Sequence, residues 1–359
     1  MTMRRWTPLT LLMLAFAAAP ASATRQTLNE QSERAVEAGG LSGLEVSNPR
    51  GDTEVRVSAD GRIHLKALKI VHAPTEADAR TLAENTRVEA EASGGRYQVR
   101  VIYPQRHTVE VGFWDFLHEG GFTMPEAEVR LTIDVPAGFE VRLATTSGDL
   151  DTQDIGGRQT LQTVSGDVSV RGARGALSVT TTSGSVEGDF VGPARLRTVS
   201  GDITIASVQK ALDGHTTSGD LVIRDAADSL TLGSVSGDIQ VARAPRGLTA
   251  VSTSGGITAR AVAGACVLGT SSGDVDVTFD PRLARAEVSS GSGDLKARLP
   301  SRLGATLEMR TSNGSIDVTA PLAVKNVTRR SVTGRVGGGE IPITLRSSSG
   351  DIQILSGGD

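Results

Sequence analysis

The chain has 359 residues, of which 42 are glycine and only 3% are aromatic, and its 37 Lys and Arg against 41 Asp and Glu give a formal net charge of −4. So few aromatic side chains favour thin, closely spaced β-structure over a wide globular core. No basic stripe stands out, which argues against nucleic acid as a partner.

Residues 1–23 have the pattern of a secretory signal peptide. Arg4 and Arg5 give a charged start, an apolar run follows at residues 9–17, and Ala21-Ser22-Ala23 is a small-residue cleavage site. The apolar run is short for a membrane span. We therefore expect an exported protein, periplasmic or at the cell surface, with no integral membrane span after cleavage. A retained N-terminal anchor is the alternative.

Residues 24–142 lack a regular repeat and are predicted to form an irregular, β-rich cap, because an uncapped solenoid end exposes strand edges and core. The patterns in this region predict an early, degenerate coil at residues 46–57, a short helix from the capping box Thr75-Glu76-Ala77-Asp78 to about Asn85, a hairpin of residues 88–92 and 97–103, and a strand at residues 129–135.

Four aromatic residues of the cap region form a candidate contact patch: Phe113, Trp114, Phe116 and Phe122. The patch is interpreted either as a plug that covers the first coil or as an exposed contact for a partner, a glycan or a membrane surface. Solvent exposure of Trp114 would distinguish the two. Arg50-Gly51-Asp52 matches an integrin-type tripeptide, but Gly-Asp pairs are so common in this chain that the match carries little weight.

Residues 143–359 are dominated by a Ser-Gly-Asp tripeptide that recurs about every 18 residues. The tripeptide begins at Ser147, Ser165, Ser200, Ser218, Ser236, Ser272, Ser292 and Ser349, and variants at Ser183, Ser254, Ser312 and Thr333 fill the gaps. Each unit contains short alternating strands that cannot bury their own apolar face, so stacked units predict a β-solenoid.

One unit illustrates the expected orientation of the side chains. The period-two pattern places Val164, Gly166, Val168, Val170, Leu177 and Val179 inward, and Ser165, Asp167 and Ser169 outward. The glycine is expected to permit a tight bend or a positive φ, and the Asp and Ser to bond the local backbone. Thr and Val alternate before the Ser, which fits one coil per 18 residues, our preference, or a 36-residue turn with two such corners.

The units Thr145-Thr146-Ser147-Gly148-Asp149-Leu150 and Thr163-Val164-Ser165-Gly166-Asp167-Val168 resemble a bacterial family of candidate adhesins with β-strand repeats, domain of unknown function 4097. The resemblance covers nearly the whole mature chain. It implies a right-handed, single-stranded β-helix in the cell envelope, without established catalytic residues. The expected fold is therefore all-β: a single-stranded right-handed β-helix of about 18-residue coils, with an irregular β-rich N-terminal cap that contains one short helix.

A row of aspartates is the candidate metal site, and it contains Asp149, Asp167, Asp202, Asp220 and Asp238, continued by Asp274 and Asp294. Carboxylates stacked about 4.8 Å apart repel by about 1 kcal/mol even in water, and cations could relieve this repulsion. The doubled glycines of calcium-binding nonapeptide repeats are absent. Ser185, Gly256, Ser315 and Arg335 also interrupt the row, so structural turn caps are favoured and no metal or other cofactor is expected.

A second file consists of Ser and Thr hydroxyls, predicted to lie on a solvated outward face, with sugar or ice binding as the alternative: Thr163, Thr181, Thr198, Thr216, Ser234, Ser252 and Thr270. Cys266, the only cysteine, lies in an apolar stretch without a neighbouring base and is interpreted as a buried structural thiol.

These patterns favour a non-catalytic exported β-solenoid that acts as a cell-envelope scaffold or adhesin-like binding module for an unknown envelope component or glycan. One alternative is a polysaccharide-active β-helix enzyme, which requires a unique cluster of charged residues in a sugar groove. Another is a periplasmic partner in envelope-stress signalling. No catalytic residue is nominated, and the oligomeric state is left open.

Overall fold

The computed structural model describes residues 26–104 and 125–357, so the expected signal peptide and the patch of Phe113, Trp114, Phe116 and Phe122 lie outside the described residues. The described chain is all-β with one helix, as expected. Its N-terminal elements are β1 (Gln26–Val36), β2 (Gly43–Arg50), β3 (Thr53–Val57), β4 (Ile63–Ala73), α1 (Glu76–Asn85), β5 (Arg87–Ser93), β6 (Arg96–Ile102) and β7 (Glu126–Val135).

The repeat region adds the remaining strands of the described chain, most of them short. They are β8 (Glu140–Ser147), β9 (Leu150–Gln153), β10 (Gln159–Gln162), β11 (Val168–Ala173), β12 (Leu177–Thr180), β13 (Val186–Phe190), β14 (Ala194–Arg197), β15 (Ile203–Val208), β16 (Leu212–His215), β17 (Leu221–Ala226), β18 (Leu230–Ser234), β19 (Ile239–Val241), β20 (Leu248–Ser252), β21 (Ile257–Ser272), β22 (Val275–Ser292), β23 (Leu295–Pro300), β24 (Ala305–Asn313), β25 (Ile316–Val318), β26 (Ala323–Thr328), β27 (Ser331–Val336), β28 (Ile341–Ser349) and β29 (Ile352–Gly357).

The elements predicted in the N-terminal region are present. α1 follows Thr75, whose Oγ1 accepts a hydrogen bond from the backbone N–H of Asp78 at 3.1 Å, as a helix cap does. β5 and β6 pair antiparallel as the predicted hairpin, and β7 contains the predicted strand. The long antiparallel pair of β1 and β4 has no counterpart among the predicted elements.

Hydrogen bonds arrange the repeat strands in two parallel ladders. Ladder A contains β2, β8, β10, β12, β14, β16, β18 and β20, and ladder B contains β3, β9, β11, β13, β15, β17 and β19. β21 and β22 run through both ladders, after which β28 and β24 continue ladder A and β23, β29 and β25 continue ladder B. Each Ser-Gly-Asp corner thus joins a strand of ladder A to a strand of ladder B.

Successive coils stack with like positions on like positions. Leu161 of β10 pairs with Val179 of β12, 18 positions later, and with Leu143 of β8, 18 positions earlier. The offset is 17 positions between β12 and β14, where Leu177 pairs with Ala194. The inward rows of both ladders therefore merge into one continuous apolar core.

The corner shifts the alternation of inward and outward residues, which corrects one expectation. Val168 and Val170 are buried as predicted, but Val164 is 46% exposed and Thr163 is buried. Two successive residues face outward at the corner, Val164 and Ser165, before the inward set resumes at Val168. The Val–Thr alternation before each Ser is consequently a feature of the surface and not of the core.

The hydroxyl file lies inside the fold, so its prediction as an outward face is wrong. Its seven members are all buried: Thr163, Thr181, Thr198, Thr216, Ser234, Ser252 and Thr270. From Thr198 onward, each hydroxyl donates to the carbonyl oxygen of the corner glycine one coil earlier, as Thr270 Oγ1 does to Gly255 O at 2.9 Å. The hydroxyls thus satisfy backbone acceptors at the corner.

The corner glycines stack directly on one another. A Cβ atom at Gly219 would lie 2.1 Å from the carbonyl oxygen of Gly201 and 2.6 Å from its carbonyl carbon. Gly219 is not among the residues with positive φ. Close approach of backbone to backbone, rather than a special turn conformation, is therefore what requires glycine here.

At the N-terminal end, the coils stack out of chain order. β2 lies between β6 and β8, and β3 lies between β7 and β9. The first coil of the sequence, formed by β2 and β3, is therefore covered by a coil from later in the chain. β5 then ends ladder A, while β4 and β1 extend ladder B.

The C-terminal end shows the same exchange of order. β28 lies between β22 and β24, and β29 lies between β23 and β25, so the last coil of the sequence is inserted between two earlier ones. β27 and β26 extend ladder A beyond β24 as antiparallel strands. Thr333-Gly334-Arg335, expected to be a variant corner, lies within strand β27 instead.

Several buried polar side chains of the described residues have no hydrogen-bond partner, and that of Gln159 is the largest. Gln159 is 1% exposed, and neither its Nε2 nor its Oε1 has a hydrogen-bond partner among the described residues. In the adjacent coils the same inward position holds Val141 and Leu177. A buried amide without partners costs about 1–3 kcal/mol.

We expect Gly219→Ala to lower the free energy of unfolding by about 3 kcal/mol, because the new methyl group overlaps the Gly201 carbonyl. Gly269→Ala is the matched control, since its Cβ would meet only Ser289 Oγ at 3.4 Å. It should be neutral or stabilise by up to about 1 kcal/mol. Urea unfolding followed by circular dichroism measures both, and equal effects of the two variants would contradict the stacking argument.

We expect Gln159→Leu to raise the free energy of unfolding by about 1–3 kcal/mol, because it removes an unpaired amide and keeps the volume. Gln162→Leu, at the exposed end of the same strand, should change it by less than about 0.5 kcal/mol. The same denaturant series checks this. A lower stability of Gln159→Leu would show that the amide has a partner in solution.

Candidate functional site

The corner aspartates form a row in which each carboxylate holds the backbone of the next coil. Asp149 Oδ1 accepts a hydrogen bond from the N–H of Asp167 at 2.9 Å. Asp202 Oδ1 accepts from Asp220 at 2.8 Å, and Asp220 Oδ1 accepts from Asp238 at 2.9 Å. All five predicted candidates therefore lie in one row, where they act as acceptors for backbone donors.

The row is interrupted at regular intervals along the stack. In stacking order it reads Asp52, Asp149, Asp167, Ser185, Asp202, Asp220, Asp238, Gly256, Asp274, Asp294, Asp351 and Ser315. Every fourth position of this described row lacks a carboxylate. The interruptions keep each run of stacked like charges to three, which limits their mutual repulsion.

The first and last carboxylates follow the same rule. Asp52 Oδ1 accepts from the N–H of Asp149 at 3.0 Å, so the Arg-Gly-Asp tripeptide at residues 50–52 is a corner of the solenoid. Asp351 Oδ1 accepts from the N–H of Ser315 at 2.7 Å, and this hydrogen bond holds the pKa of Asp351 below its usual value.

The geometry offers no preformed cation site along this row. Among the described residues, no group of three or more His, Cys, Asp or Glu side chains is arranged to hold a metal ion. One oxygen of each of the nine carboxylates in the row is taken by a backbone N–H. That the row is structural and holds no cation remains an expectation, which the calcium experiment below tests.

The outward face of ladder A carries a charged cluster that breaks the repeat. Arg195 and Arg197 of β14 lie beside Asp213 and His215 of β16, with which they pair in register. Arg197 donates from Nη1 and Nη2 to the two carboxylate oxygens of Asp213 at 3.1 and 2.9 Å. Arg195 Nε donates to Oδ2 of Asp213 at 3.2 Å, and His215 Nε2 lies 2.8 Å from Oδ1. We call these four residues the Arg–Asp–His cluster.

Charge is unbalanced in the Arg–Asp–His cluster. The Arg197 hydrogen bonds are the main cause that lowers the pKa of Asp213 from its usual value of 3.8, and the charges of Arg197, His215 and Arg195 add to the effect. The carboxylate is therefore ionised at neutral pH and faces two guanidinium groups. Arg195 is 68% exposed, so the surplus positive charge is presented to solvent.

A flat, uncharged strip lies beside the Arg–Asp–His cluster on the same face. It is formed by outward residues of β18 and β20 and of the corners that follow them: Thr231, Val235, Thr249, Val251 and Thr253. Val235 is 47% exposed and Val251 is 50% exposed. A charged group next to exposed β-branched side chains on a flat sheet is the kind of surface that binds a partner.

The sequence contains a signal for the Arg–Asp–His cluster, but the signal can be recognised only when the register between neighbouring coils is known. Arg195 and Asp213 occupy an outward position at which neighbouring coils carry Thr160, Ser178 and Thr231. Once an 18-residue coil is assumed, residues 18 apart are neighbours across a 4.8 Å gap. The adjacent opposite charges of Arg195 and Asp213, between Ser178 and Thr231, then mark the place.

The aromatic patch lies in the sequence between β6 and β7. Its residues fall within 105–124, which are outside the described chain. Directly after β6, Tyr103 donates from its hydroxyl to the backbone oxygen of Arg50. The contact role of Phe113, Trp114, Phe116 and Phe122 stays a prediction.

Cys266 is buried in the core of ladder A, between Leu248 and Ala286 in register. Burial raises the pKa of its thiol to about 12. A thiol with this pKa is protonated at neutral pH and is a poor nucleophile.

The described residues contain no helix that could cross a membrane. Their single helix, α1, has ten residues and packs its buried Ala79 and Ala83 against Val71 and Ala73 of β4 and Ala127 of β7.

A family model described as Toastrack DUF4097 matches residues 190–264 and 248–355. Both matches lie in the repeat region, and the first includes β14 and β16, which carry the Arg–Asp–His cluster. No curated protein matches the chain.

Solved structures show only a distant likeness. A candidate adhesin from Bacteroides fragilis is 12% identical, with 91% of this chain and 97% of that one covered and a TM-score of 0.27. A candidate adhesin from Parabacteroides merdae is 8% identical, with 91% and 96% covered and a TM-score of 0.28. A candidate lipid-binding protein from Parabacteroides distasonis is 13% identical, with 74% and 94% covered and a TM-score of 0.29. At these scores nothing is carried over to this chain.

We expect calcium to leave the melting temperature of the protein unchanged, because the row carboxylates already accept backbone hydrogen bonds. Differential scanning calorimetry with millimolar CaCl₂ and with EDTA checks this. A saturable rise in melting temperature that is lost in Asp220→Asn would contradict it and establish the row as a cation site. Asp225→Asn, at an exposed carboxylate outside the row, is the matched control.

Proposed function

We propose that this chain, which belongs to the Toastrack DUF4097 family through residues 190–355, is a non-catalytic, exported β-solenoid. The solenoid acts as a scaffold or adhesin-like binding module of the cell envelope. Its proposed contact is the outward face of ladder A, centred on the Arg–Asp–His cluster. The target class is an anionic polymer of the envelope, such as a phosphorylated or carboxylated glycan.

The surplus of guanidinium groups in the middle of the outward face of ladder A carries this proposal. Guanidinium groups recognise carboxylates and phosphates through paired hydrogen bonds. The uncharged strip of β18 and β20 extends the exposed surface beside the cluster. Binding of an extended polymer suits a surface of this kind better than binding in a closed pocket.

Catalysis is less well supported by the same residues. Asp213 is engaged by Arg197, Arg195 and His215 at once, and its pKa is lowered. A general acid needs a raised pKa, and a carboxylate nucleophile needs a free oxygen next to the substrate. The arrangement therefore favours binding over the alternative of a polysaccharide-active enzyme.

The proposal includes the finer architecture and the location. We propose a right-handed solenoid with coils of about 18 residues over residues 143–359, a cap over residues 24–142, and a signal peptide at residues 1–23 that is removed on export. The parallel offsets of 17 and 18 positions support the coil length. A periplasmic or cell-surface location follows from the signal peptide. The patch of Phe113, Trp114, Phe116 and Phe122 is proposed as a second contact.

We expect the purified protein to bind lipopolysaccharide or sonicated peptidoglycan, with neutral dextran as the uncharged control, in biolayer interferometry. The double variant Arg195→Ala with Arg197→Ala should weaken binding by about tenfold or more, which is the effect of losing about 1.4 kcal/mol of charge-assisted contact. Asp213→Asn should strengthen binding, because it frees two guanidinium groups that the carboxylate now occupies.

Two further variants make the binding experiment decisive. Arg243→Ala, at an exposed arginine that follows β19 of ladder B, should bind as the wild type does. Trp114→Ala tests the second contact separately. Absence of binding to both polymers, or equal binding by the wild type and by the double variant, would reject the Arg–Asp–His cluster as the contact.

A further inference from the structure

Ladder A ends in an unpaired strand edge at both ends of the described solenoid. β5 pairs with β6 on one side, and β26 pairs with β27 on one side. No strand of the described chain pairs with the other side of either. Unpaired edges present free N–H and C=O groups, and they are the usual place where a strand from another chain is added.

The C-terminal edge leaves core-facing side chains open to solvent. Val324 and Val327 of β26 are in register, through β27, with Leu307 and Met309 of β24, which are fully buried. They therefore face the side of the sheet that covers the core. Yet Val324 is 54% exposed and Val327 is 60% exposed. The row of apolar side chains on the core side of ladder A thus continues to β26, where no strand of the described chain covers it.

The N-terminal edge continues the same row. Val88 and Ala90 of β5 are in register with Val101 and Val99 of β6, which are buried core residues. Val88 and Ala90 pack against the core but are only partly buried. A strand added beside β5 with apolar residues on this face would extend the buried row.

The two ends have opposite charge. The hairpin of β26 and β27 carries Lys325, Arg329, Arg330 and Arg335, and it contains no Asp or Glu. The segment of α1 and β5 carries Glu76, Asp78, Glu84, Glu89 and Glu91 against Arg80 and Arg87. Glu89 and Glu91 project from the outward face of the edge strand, because their register partners are Arg100 and Gln98. Complementary charges of this kind favour contact between the ends of two different copies.

The strand directions suit such a contact. β26 runs parallel to β24, because two antiparallel pairings separate them, whereas β5 runs antiparallel to β6. β24 and β6 have the common direction of ladder A. When the C-terminal end of one copy meets the N-terminal end of another in the same orientation, β26 and β5 therefore form an antiparallel pair.

We propose that copies of this chain associate head to tail, with β26 of one copy pairing with β5 of the next and extending ladder A across the junction. Val324 and Val327 then cover the row that continues in Val88 and Ala90, and Lys325 lies near Glu89 and Glu91. The contact joins two different surfaces and continues the stacking direction of ladder A, so copies add in line and generate open filaments. This association is independent of the ligand contact proposed for ladder A.

Charge exchange between the two ends tests the proposal. In sedimentation velocity at low salt, the purified protein should form concentration-dependent oligomers. Lys325→Glu with Arg329→Glu removes the net positive charge of the β26–β27 hairpin, and Glu89→Lys with Glu91→Lys turns the net charge of the α1–β5 segment positive, so that both ends are basic. Each double variant alone should associate more weakly, with a dissociation constant at least tenfold higher than that of the wild type. An equimolar mixture of the two should regain it, because unlike ends then meet.

A second pair of variants separates association from folding. Val327→Lys places a charge in the row to be covered and should abolish oligomers, while the melting temperature stays that of the wild type because the side chain is exposed. Val251→Lys, at an exposed valine in the middle of ladder A, should leave oligomers intact. Electron microscopy of the concentrated wild type should show filaments one solenoid wide.

Three outcomes would overturn the proposal. The first is a wild-type protein that stays monomeric over the whole concentration range. The second is a closed dimer that persists in both charge variants, which would indicate contact between like ends. The third is a mixture of the two variants that does not associate although each variant is folded. A loss of glycan binding without a change in association would reject only the function proposed above.

Discussion

The close approach of one corner glycine to the next is the constraint on which the rest of the solenoid depends. The carbonyl oxygen of Gly201 lies where a side chain of Gly219 would begin. Only bare backbone fits, and the fit brings two other groups of the corner within hydrogen-bond reach. Inside, a hydroxyl such as that of Thr216 donates to the glycine carbonyl, and outside, a carboxylate such as that of Asp202 accepts the next N–H. The Ser-Gly-Asp motif is therefore a set of contacts between coils as much as a turn within one coil.

Electrostatics divides the surface into a structural part and a part available for binding. Along the row of corners, each carboxylate accepts a hydrogen bond from a backbone N–H, and this stabilises the stack. A residue without a carboxylate follows every third aspartate, which limits the repulsion between the like charges. On the outward face of ladder A, by contrast, the fold does not engage all of the charge. There Arg195 and Arg197 share a single carboxylate, and positive charge is left over. Charge that the fold does not need is the best guide to a site in a molecule this repetitive.

Much of the architecture could be predicted from the sequence, because the repeat and the period-two pattern are local signals. The helix cap at Thr75 and the strand at residues 129–135 are local as well. The orientation of Val164 and Thr163 could not be predicted, because the corner shifts the alternation by one residue and only the stacking shows it. The exchanged order of the terminal coils depends on pairs such as Thr53 with Leu150, which are distant in sequence. The Arg–Asp–His cluster likewise exists only once the register brings neighbouring coils together.

The exchanged order at the C-terminal end has a consequence for how the molecule is made. A simple solenoid can add coils one by one as the chain emerges, and a shortened chain is merely a shorter stack. Here β24 and β25 reach the body of the solenoid only through β28 and β29, which lie at residues 341–357. This end of the solenoid therefore stays unfinished until residues 341–357 have been synthesised. In a prematurely terminated or proteolytically trimmed chain, β22 and β23 would be uncovered, and the apolar core at this end would be exposed.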